Sequence, residues 1–258
     1  MNDSTFSLSN RQVIVTGAGQ GIGRALGEAI VQLGGRLVAV DLNAEALADL
    51  RETLGAHRCA TVTGSVADPA VAQQAIDAGI AAFGNVNGLV NNAGVTRTAM
   101  IDKMSLDAWQ TVIDVHLSGS FYFLQALGRH LIARGKGGAS SSGAIVNISS
   151  DAGRRGTIGQ INYGTAKAGV LGMTMCAARE WARHDIRVNT VGFGVVETPM
   201  TETIRGEKFR DTYLQQIPLG RWGAAEEVVR PVCFLLSDAA SYVTGQHLSV
   251  NGGYTIGL

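Results

Sequence analysis

Thr16–Gly23 reads TGAGQGIG, directly after the apolar run Gln12–Thr16 (QVIVT) and at the head of an amphipathic stretch near 22–34. A strand that ends in glycines and opens a helix can place free backbone N–H groups against a pyrophosphate, because glycine turns sharply and lets the backbone come close. The spacing is G-x-x-x-G-x-G rather than G-x-G-x-x-G. A tight structural turn would use the same glycines, so the position at the first strand–helix junction carries the weight. Gly17, Gln20, Gly21, Ile22 and Gly23 are therefore the first candidate binding residues.

Outward from this turn, apolar runs alternate with helix-period stretches almost to the end. Gln12–Thr16, Arg36–Val40, His57–Thr63, Val86–Val90, Ala144–Ser149, Ile186–Val191 and His247–Val250 read as strands. Their apolarity is continuous, as in strands buried on both faces. Stretches near 22–34, 43–54, 68–83, 105–134, 161–184 and 224–237 read as helices, with Asp68 capping the third ahead of Pro69. Such alternation predicts an α/β fold, a doubly wound parallel sheet flanked by helices. No composition break divides residues 1–258, so a single domain is expected, and Gly135–Gly143 (GKGGASSSG) reads as a flexible surface loop.

Composition narrows the class. With 46% hydrophobic residues and 16% charged ones, the chain can bury a large core. Its 21 basic and 21 acidic side chains leave a formal net charge of +0, which gives no basic surplus for nucleic acid. Three cysteines without a CxxC pair point to neither a disulfide framework nor a metal site. No signal-like N-terminus and no apolar run of about 18 residues is present, so a cytoplasmic protein without a membrane span is expected.

Asp41 follows the second strand. A carboxylate there accepts hydrogen bonds from adenosine ribose hydroxyls and repels a 2′-phosphate, although an acid also suits a helix N-terminus. Gln20 is neutral where a basic side chain would help hold that phosphate, so the pair favours NAD over NADP. Further on, Tyr163 and Lys167 lie one helical turn apart and share a face. Ser150 ends a strand, and open α/β sheets bind ligands beyond the carboxyl ends of their strands. Reducing a carbonyl takes hydride on carbon and a proton on oxygen. Tyrosine, with a reference pKa of about 10, is a poor base at neutral pH, and a nearby lysine cation and an oxidised nicotinamide ring both favour the phenolate and lower that value toward the working range. Ser150 can hold the substrate oxygen, and Lys167 can also bind the nicotinamide ribose. A Y-x-x-x-K pair alone fits an ordinary amphipathic helix; its company with Ser150 and the glycine turn makes it a candidate site.

TGAGQGIG, Asn91–Gly94 (NNAG), Ser150, Tyr163–Lys167 (YGTAK), Arg187–Asn189 (RVN) and Val250–Gly253 (VNGG) together resemble the short-chain dehydrogenase/reductase family, from about residue 11 to residue 254. The resemblance implies a seven-stranded Rossmann fold in the order 3-2-1-4-5-6-7 and a homotetramer. It also implies that Asn92, Ala93 and Gly94 lie against the cofactor, and that the segment from Val196 to Thr198 contacts the nicotinamide carboxamide. Asn91–Leu117 is most similar to 3-oxoacyl-acyl carrier protein reductases. The family's usual asparagine before L-x-G, which helps hold a relay water, is His116 here. An imidazole can hold water through either nitrogen or serve as a satisfied core residue. The adenine-contacting aspartate is replaced by Ser65, followed by Val66, and the usual Pro-Gly after the sixth strand is Phe193–Gly194.

On the substrate side, Thr198–Gln216 reads either as a lid or as an ordinary amphipathic helix. Asp151, Arg154 and Arg155 read as solvated loop charges or as ligands for a polar substrate, and Trp109, Trp181 and Trp222 as packing residues. The sequence thus predicts an NAD(H)-dependent enzyme acting on a secondary alcohol or ketone, with catalytic residues Ser150, Tyr163, Lys167 and His116. Two alternatives stand beside it: an NADPH-dependent 3-oxoacyl-thioester reductase, and a cofactor-sensing protein on the same scaffold.

Overall fold

Val13, Ile14 and Val15 leave no side-chain surface to solvent, and neither do Leu37, Val38, Ala39 and Val40. Neighbouring residues of a strand point to opposite faces, so these runs are covered on both sides, as the continuous apolarity predicts. The computed structural model describes residues 3–257. Its strands are β1 (Gln12–Thr16), β2 (Arg36–Asp41), β3 (Cys59–Thr63), β4 (Gly88–Asn91), β5 (Gly143–Ser150), β6 (Ile186–Phe193) and β7 (His247–Val250). They form one parallel seven-stranded sheet in the order β3-β2-β1-β4-β5-β6-β7, a Rossmann arrangement.

Helices α1 (Gly21–Gln32), α2 (Ala44–Leu54), α3 (Pro69–Phe83), α4 (Leu106–Ile113), α5 (Gly119–Lys136), α6 (Ala152–Arg155), α7 (Ile161–Trp181), α8 (Glu202–Arg205), α9 (Glu207–Leu214) and α10 (Ala225–Leu236) connect the strands. Leu26 and Ile30 of α1 meet Val228, Val229 and Val232 of α10 in the core on one face. Ile76 of α3 and Phe123 and Leu127 of α5 fill the other. Local chemistry sets several ends. Asp68 accepts from the Ala70 N–H at 2.9 Å ahead of Pro69, and α3 stops at Gly84 in the left-handed region. Among the described residues no helix is long and apolar enough to cross a membrane.

The helix expected over 105–134 is interrupted. Residues Asp114–Ser118 form a π turn between α4 and α5, and His116 lies in it, buried. The Ser120 hydroxyl donates back to the His116 carbonyl four residues earlier at 2.7 Å. The loop expected at Gly135–Gly143 is shorter, since α5 runs to Lys136 and β5 starts at Gly143. Of the three tryptophans, all partly exposed, Trp181 packs against the core cluster and closely over Gly128, as expected of a packing residue.

A buried polar ladder crosses the sheet where β4, β5 and β6 meet α7. The Asn91 amide donates to the Asn147 side-chain oxygen (2.8 Å) and to the Ser120 carbonyl (3.1 Å). The Asn147 amide donates to the Thr174 hydroxyl (2.9 Å), which lies 2.7 Å from the Thr190 hydroxyl. Each member is satisfied by the next, and the ladder fixes α7 over the strands. Asn147→Ala leaves the Thr174 hydroxyl without that donor and should cost about 1–3 kcal/mol. Urea unfolding reads this directly: an unchanged midpoint would show that the ladder contributes nothing to stability.

Candidate active site

The sheet order reverses at β1, whose neighbours are β2 and β4, and the crevice beyond their carboxyl ends is where such sheets bind ligands. The turn after β1 is built for close approach. Gly17 (φ +67°) and Gly21 (φ +53°) hold left-handed backbone. A Cβ on Gly23 would lie 1.8 Å from the Gly17 carbonyl oxygen, and one on Gly17 would lie 2.9 Å from the Ala93 Cα. The turn is thus closed against the end of β4. The Thr16 hydroxyl accepts from the Asn92 and Ala93 N–H groups, both at 3.0 Å. The Asn92 amide donates back to the carbonyls of Thr16 (3.0 Å) and Gly17 (3.3 Å).

These residues fit a dinucleotide. Gln20 precedes α1 without a side-chain cap, and the helix has no acid in its first turn, so backbone N–H groups there are open to an anion. Ile22 packs against the core from the same turn. Thr198 reaches over from the far side, its Cγ2 3.5 Å from the point a Cβ on Gly21 would occupy. Val196, buried, forms an isolated bridge with Gly223 and holds the start of that segment. Asp41 stands at the end of β2. One of its oxygens accepts from the Gly19 N–H (2.9 Å) and the other from the Asn43 N–H (3.0 Å), so it braces the turn while each oxygen keeps a lone pair. Ser65 accepts from the Ala67 N–H at 3.2 Å, and Val66 is buried. Among the described residues no group of three His, Cys, Asp or Glu side chains gathers as a metal site requires.

Ser150, Tyr163, Lys167 and His116 come together beyond β5. The Ser150 side chain lies close enough to the Tyr163 phenol to influence its titration, and its hydroxyl accepts from the Ala152 N–H at 3.3 Å. The Lys167 ammonium lies 5.7 Å from the Tyr163 ring centre and donates to the Ile148 carbonyl at 2.7 Å. The His116 ring stands edge-on to Tyr163, with centroids 5.0 Å apart. Its Nε2 lies 3.0 Å from the Val95 nitrogen and 2.8 Å from the Val95 oxygen, and its tautomer decides which partner it serves. Nδ1 is buried and unpartnered among the described residues. His116 is therefore neither fully satisfied nor turned outward. Gly94 passes beneath it, where a Cβ would lie 2.4 Å from the imidazole Cε1.

The titration behaviour departs from the sequence expectation. Burial raises the Tyr163 phenol above its ordinary value, with the nearby Ser150 side chain working against it. Burial lowers Lys167 to about 7. Burial first, and the charge of Lys167 second, push His116 down to about 3. Desolvation thus dominates the phenol, and the Ser150 side chain only partly offsets it.

Two further residues carry the site and were not singled out in that role. Asn162, fully buried, donates to the Arg97 (2.9 Å) and Ala108 (3.0 Å) carbonyls, and its oxygen accepts from the Tyr163 N–H at 2.8 Å. It fixes the start of α7, and its place directly before the tyrosine was the only signal. Asp151 is 3% exposed, not a solvated loop charge. Arg154 donates to the Ser249 hydroxyl at 3.1 Å and to the Gly257 carbonyl at 2.9 Å. Arg155 covers the Tyr254 ring. These three side chains bind the chain's own C-terminal residues.

Residues 17–255 match a family described as enoyl-(acyl carrier protein) reductase. The 3-oxoacyl-[acyl-carrier-protein] reductase of Thermotoga maritima is 40% identical over 251 residues, covering 96% of this chain and 99% of that protein. The D-threitol dehydrogenase of Mycolicibacterium smegmatis is 38% identical over 256 residues, covering 98% of this chain and 96% of that one. Among solved structures, a short-chain glucose/ribitol dehydrogenase from Brucella melitensis superposes with a TM-score of 0.90 at 34% identity, over 98% of this chain and 100% of the other. A gluconate 5-dehydrogenase from Burkholderia cenocepacia, in complex with NADP and tartrate, gives 0.91 at 33% identity over 99% of each chain. With the sheet order, the glycine turn and the grouping of Lys167 and His116 around Tyr163, these likenesses make the chain a member of the short-chain dehydrogenase/reductase family of nicotinamide-dependent oxidoreductases.

Proposed function

We propose that the chain is an NAD(H)-dependent oxidoreductase that interconverts a secondary alcohol and a ketone. The gathering of Ser150, at the end of β5, with Tyr163 and Lys167 of α7, the lysine ammonium 5.7 Å from the tyrosine ring centre, carries the reading. When bound, the nicotinamide gives or takes hydride at the substrate carbon. The chain's own groups manage the oxygen. Ser150 holds it and stabilises developing charge. Tyr163 gives its proton during reduction and takes one during oxidation. Lys167, held by the Ile148 carbonyl beside the tyrosine ring, orients the nicotinamide ribose and favours the phenolate when it carries its proton. Thr198–Gln216, including α8 and α9 with no buried residue in either, forms a lid held by few core contacts.

Asp41 and the neutral Gln20 support NAD, since a 2′-phosphate would meet a carboxylate already fixed by two N–H groups. NADP and a 3-oxoacyl thioester form the second reading, favoured by the names of several relatives and by the NADP bound to the gluconate dehydrogenase. A homotetramer in the cytoplasm completes the proposal; the exposed Phe121 and Met175 on the long helices support association.

Three outcomes are expected. Tyr163→Phe should lower kcat by about 10²–10⁴-fold while dinucleotide binding, read by fluorescence, persists; full turnover would refute the chemistry. Wild-type kcat/KM should favour NADH over NADPH, and Asp41→Ala should narrow that preference by about tenfold or more, because it removes a like-charge clash. A wild-type preference for NADPH would turn the assignment to the second reading. The third concerns His116, neutral when folded and protonated below about 6.5 when unfolded. Its depressed pKa makes its contribution complete above that pH and progressively lost as pH falls toward about 3. The melting temperature should therefore drop less steeply from neutral to acid pH in His116→Gln than in wild type; parallel curves would contradict a buried neutral imidazole.

A further inference from the structure

Beyond β7 the chain turns through Gly252 (φ +65°) and Gly253 (φ +87°) and runs back across the substrate side. Asn251 begins this segment. Its amide donates to both oxygens of the buried Asp151 at 3.0 Å, and Asp151 directly follows Ser150. Gly194 lies against the same asparagine, where a Cβ would come within 2.8 Å of the Asn251 Cβ. Two residues on, the segment meets the end of the lid. The Leu219 N–H donates to the Gly252 carbonyl at 3.1 Å, and a Cβ on Gly253 would lie 2.8 Å from Pro218.

Tyr254 is where the three parts join. The Arg155 guanidinium, on the helix that follows Ser150, lies 4.3 Å from the Tyr254 ring centre. Arg155 also donates to the Gln216 side-chain oxygen at 3.3 Å, at the end of the lid segment. Tyr213 of α9 stacks on Tyr254, with centroids 6.3 Å apart and planes 28° from parallel. On the other side, α6 sits so close to α7 that a Cβ on Gly153 would lie 2.6 Å from the Lys167 backbone carbon. Displacement of the Ser150 turn is therefore felt at α7, which carries Tyr163 and Lys167.

We propose that residues 251–257 act as a strap tying the Ser150 turn to the lid, with Asp151 and Tyr254 as positioning residues. Asp151 anchors the strap beside Ser150. Tyr254, clasped between Arg155 and Tyr213, holds α9 over the substrate side. Closure of the lid and the orientation of the Ser150 hydroxyl are then set by one connected element. The inference rests on the proposed oxidoreductase reading.

The test compares Tyr254→Ala, Tyr254→Phe and Asp151→Asn in the full chain. Tyr254→Ala removes the ring between two partners and should raise KM for the alcohol or ketone about tenfold, by loss of one cation–π and stacking contact. Its dinucleotide affinity should stay at the wild-type value. Hydrogen exchange across 202–214 should quicken in this variant, a readout that needs no turnover. Tyr254→Phe keeps the ring and should restore both KM and exchange. Asp151→Asn should reproduce the rise in KM, and if it fails to fold, the tyrosine pair still decides. Unchanged KM and unchanged exchange in Tyr254→Ala would overturn the strap, as would a defect that Phe does not rescue. Loss of turnover in Tyr163→Phe alongside a wild-type Tyr254→Ala would refute the strap alone, whereas a fully active Tyr163→Phe would refute the reaction instead.

Discussion

No side chain fits on Gly23, because its Cα faces the carbonyl of Gly17 across a gap that a methyl group would close to 1.8 Å. That single steric limit lets α1 start directly over the end of β1. It brings the turn against Ala93 and puts the N-terminus of the helix at the mouth of the crevice. Thr16 then ties the turn to β4 through two N–H groups, and Asp41 ties it to β2. The strand ends that carry Ser150 and the helix that carries Tyr163 are registered to this point through the polar ladder of Asn91, Asn147 and Thr174. Larger residues in the turn would separate helix from sheet, and the crevice would widen along its whole length.

The sheet was legible because its strands are covered on both faces, so their runs stay apolar without alternation. The meeting of Ser150 with Tyr163 was legible too, from helical spacing and from the rule that such sheets bind beyond their carboxyl ends. Other features depend on partners far along the chain. The π turn around His116 leaves no mark in periodicity, since Leu106–Lys136 continues an amphipathic pattern on either side. Asp151, Arg154 and Arg155 look solvated until Asn251, Ser249 and Tyr254 are seen against them. The upward shift of the Tyr163 phenol was missed because charge proximity can be guessed from spacing, whereas desolvation depends on everything that surrounds the group.

Three ionisable side chains at the candidate site are pushed the same way, toward their neutral forms. Each is shifted by its removal from water. A charge that develops on a substrate oxygen is consequently weakly screened, and the hydroxyls of Ser150 and Tyr163 interact with it more strongly than they would in water.

The sheet order has a consequence for how the chain first acquires structure. Val13 of β1 pairs with Gly88 of β4, with β2 and β3 both lying between them in the sequence. One edge of the central strand stays open until β4 has been made, although β2 can already cover the other. Non-local parallel pairing of this kind forms late and slowly, and leaves hydrogen-bonding groups exposed while it waits. During synthesis, then, the nascent chain passes through an interval in which β1 offers a bare edge to neighbouring chains, and the arrival of Leu89 and Val90 ends it.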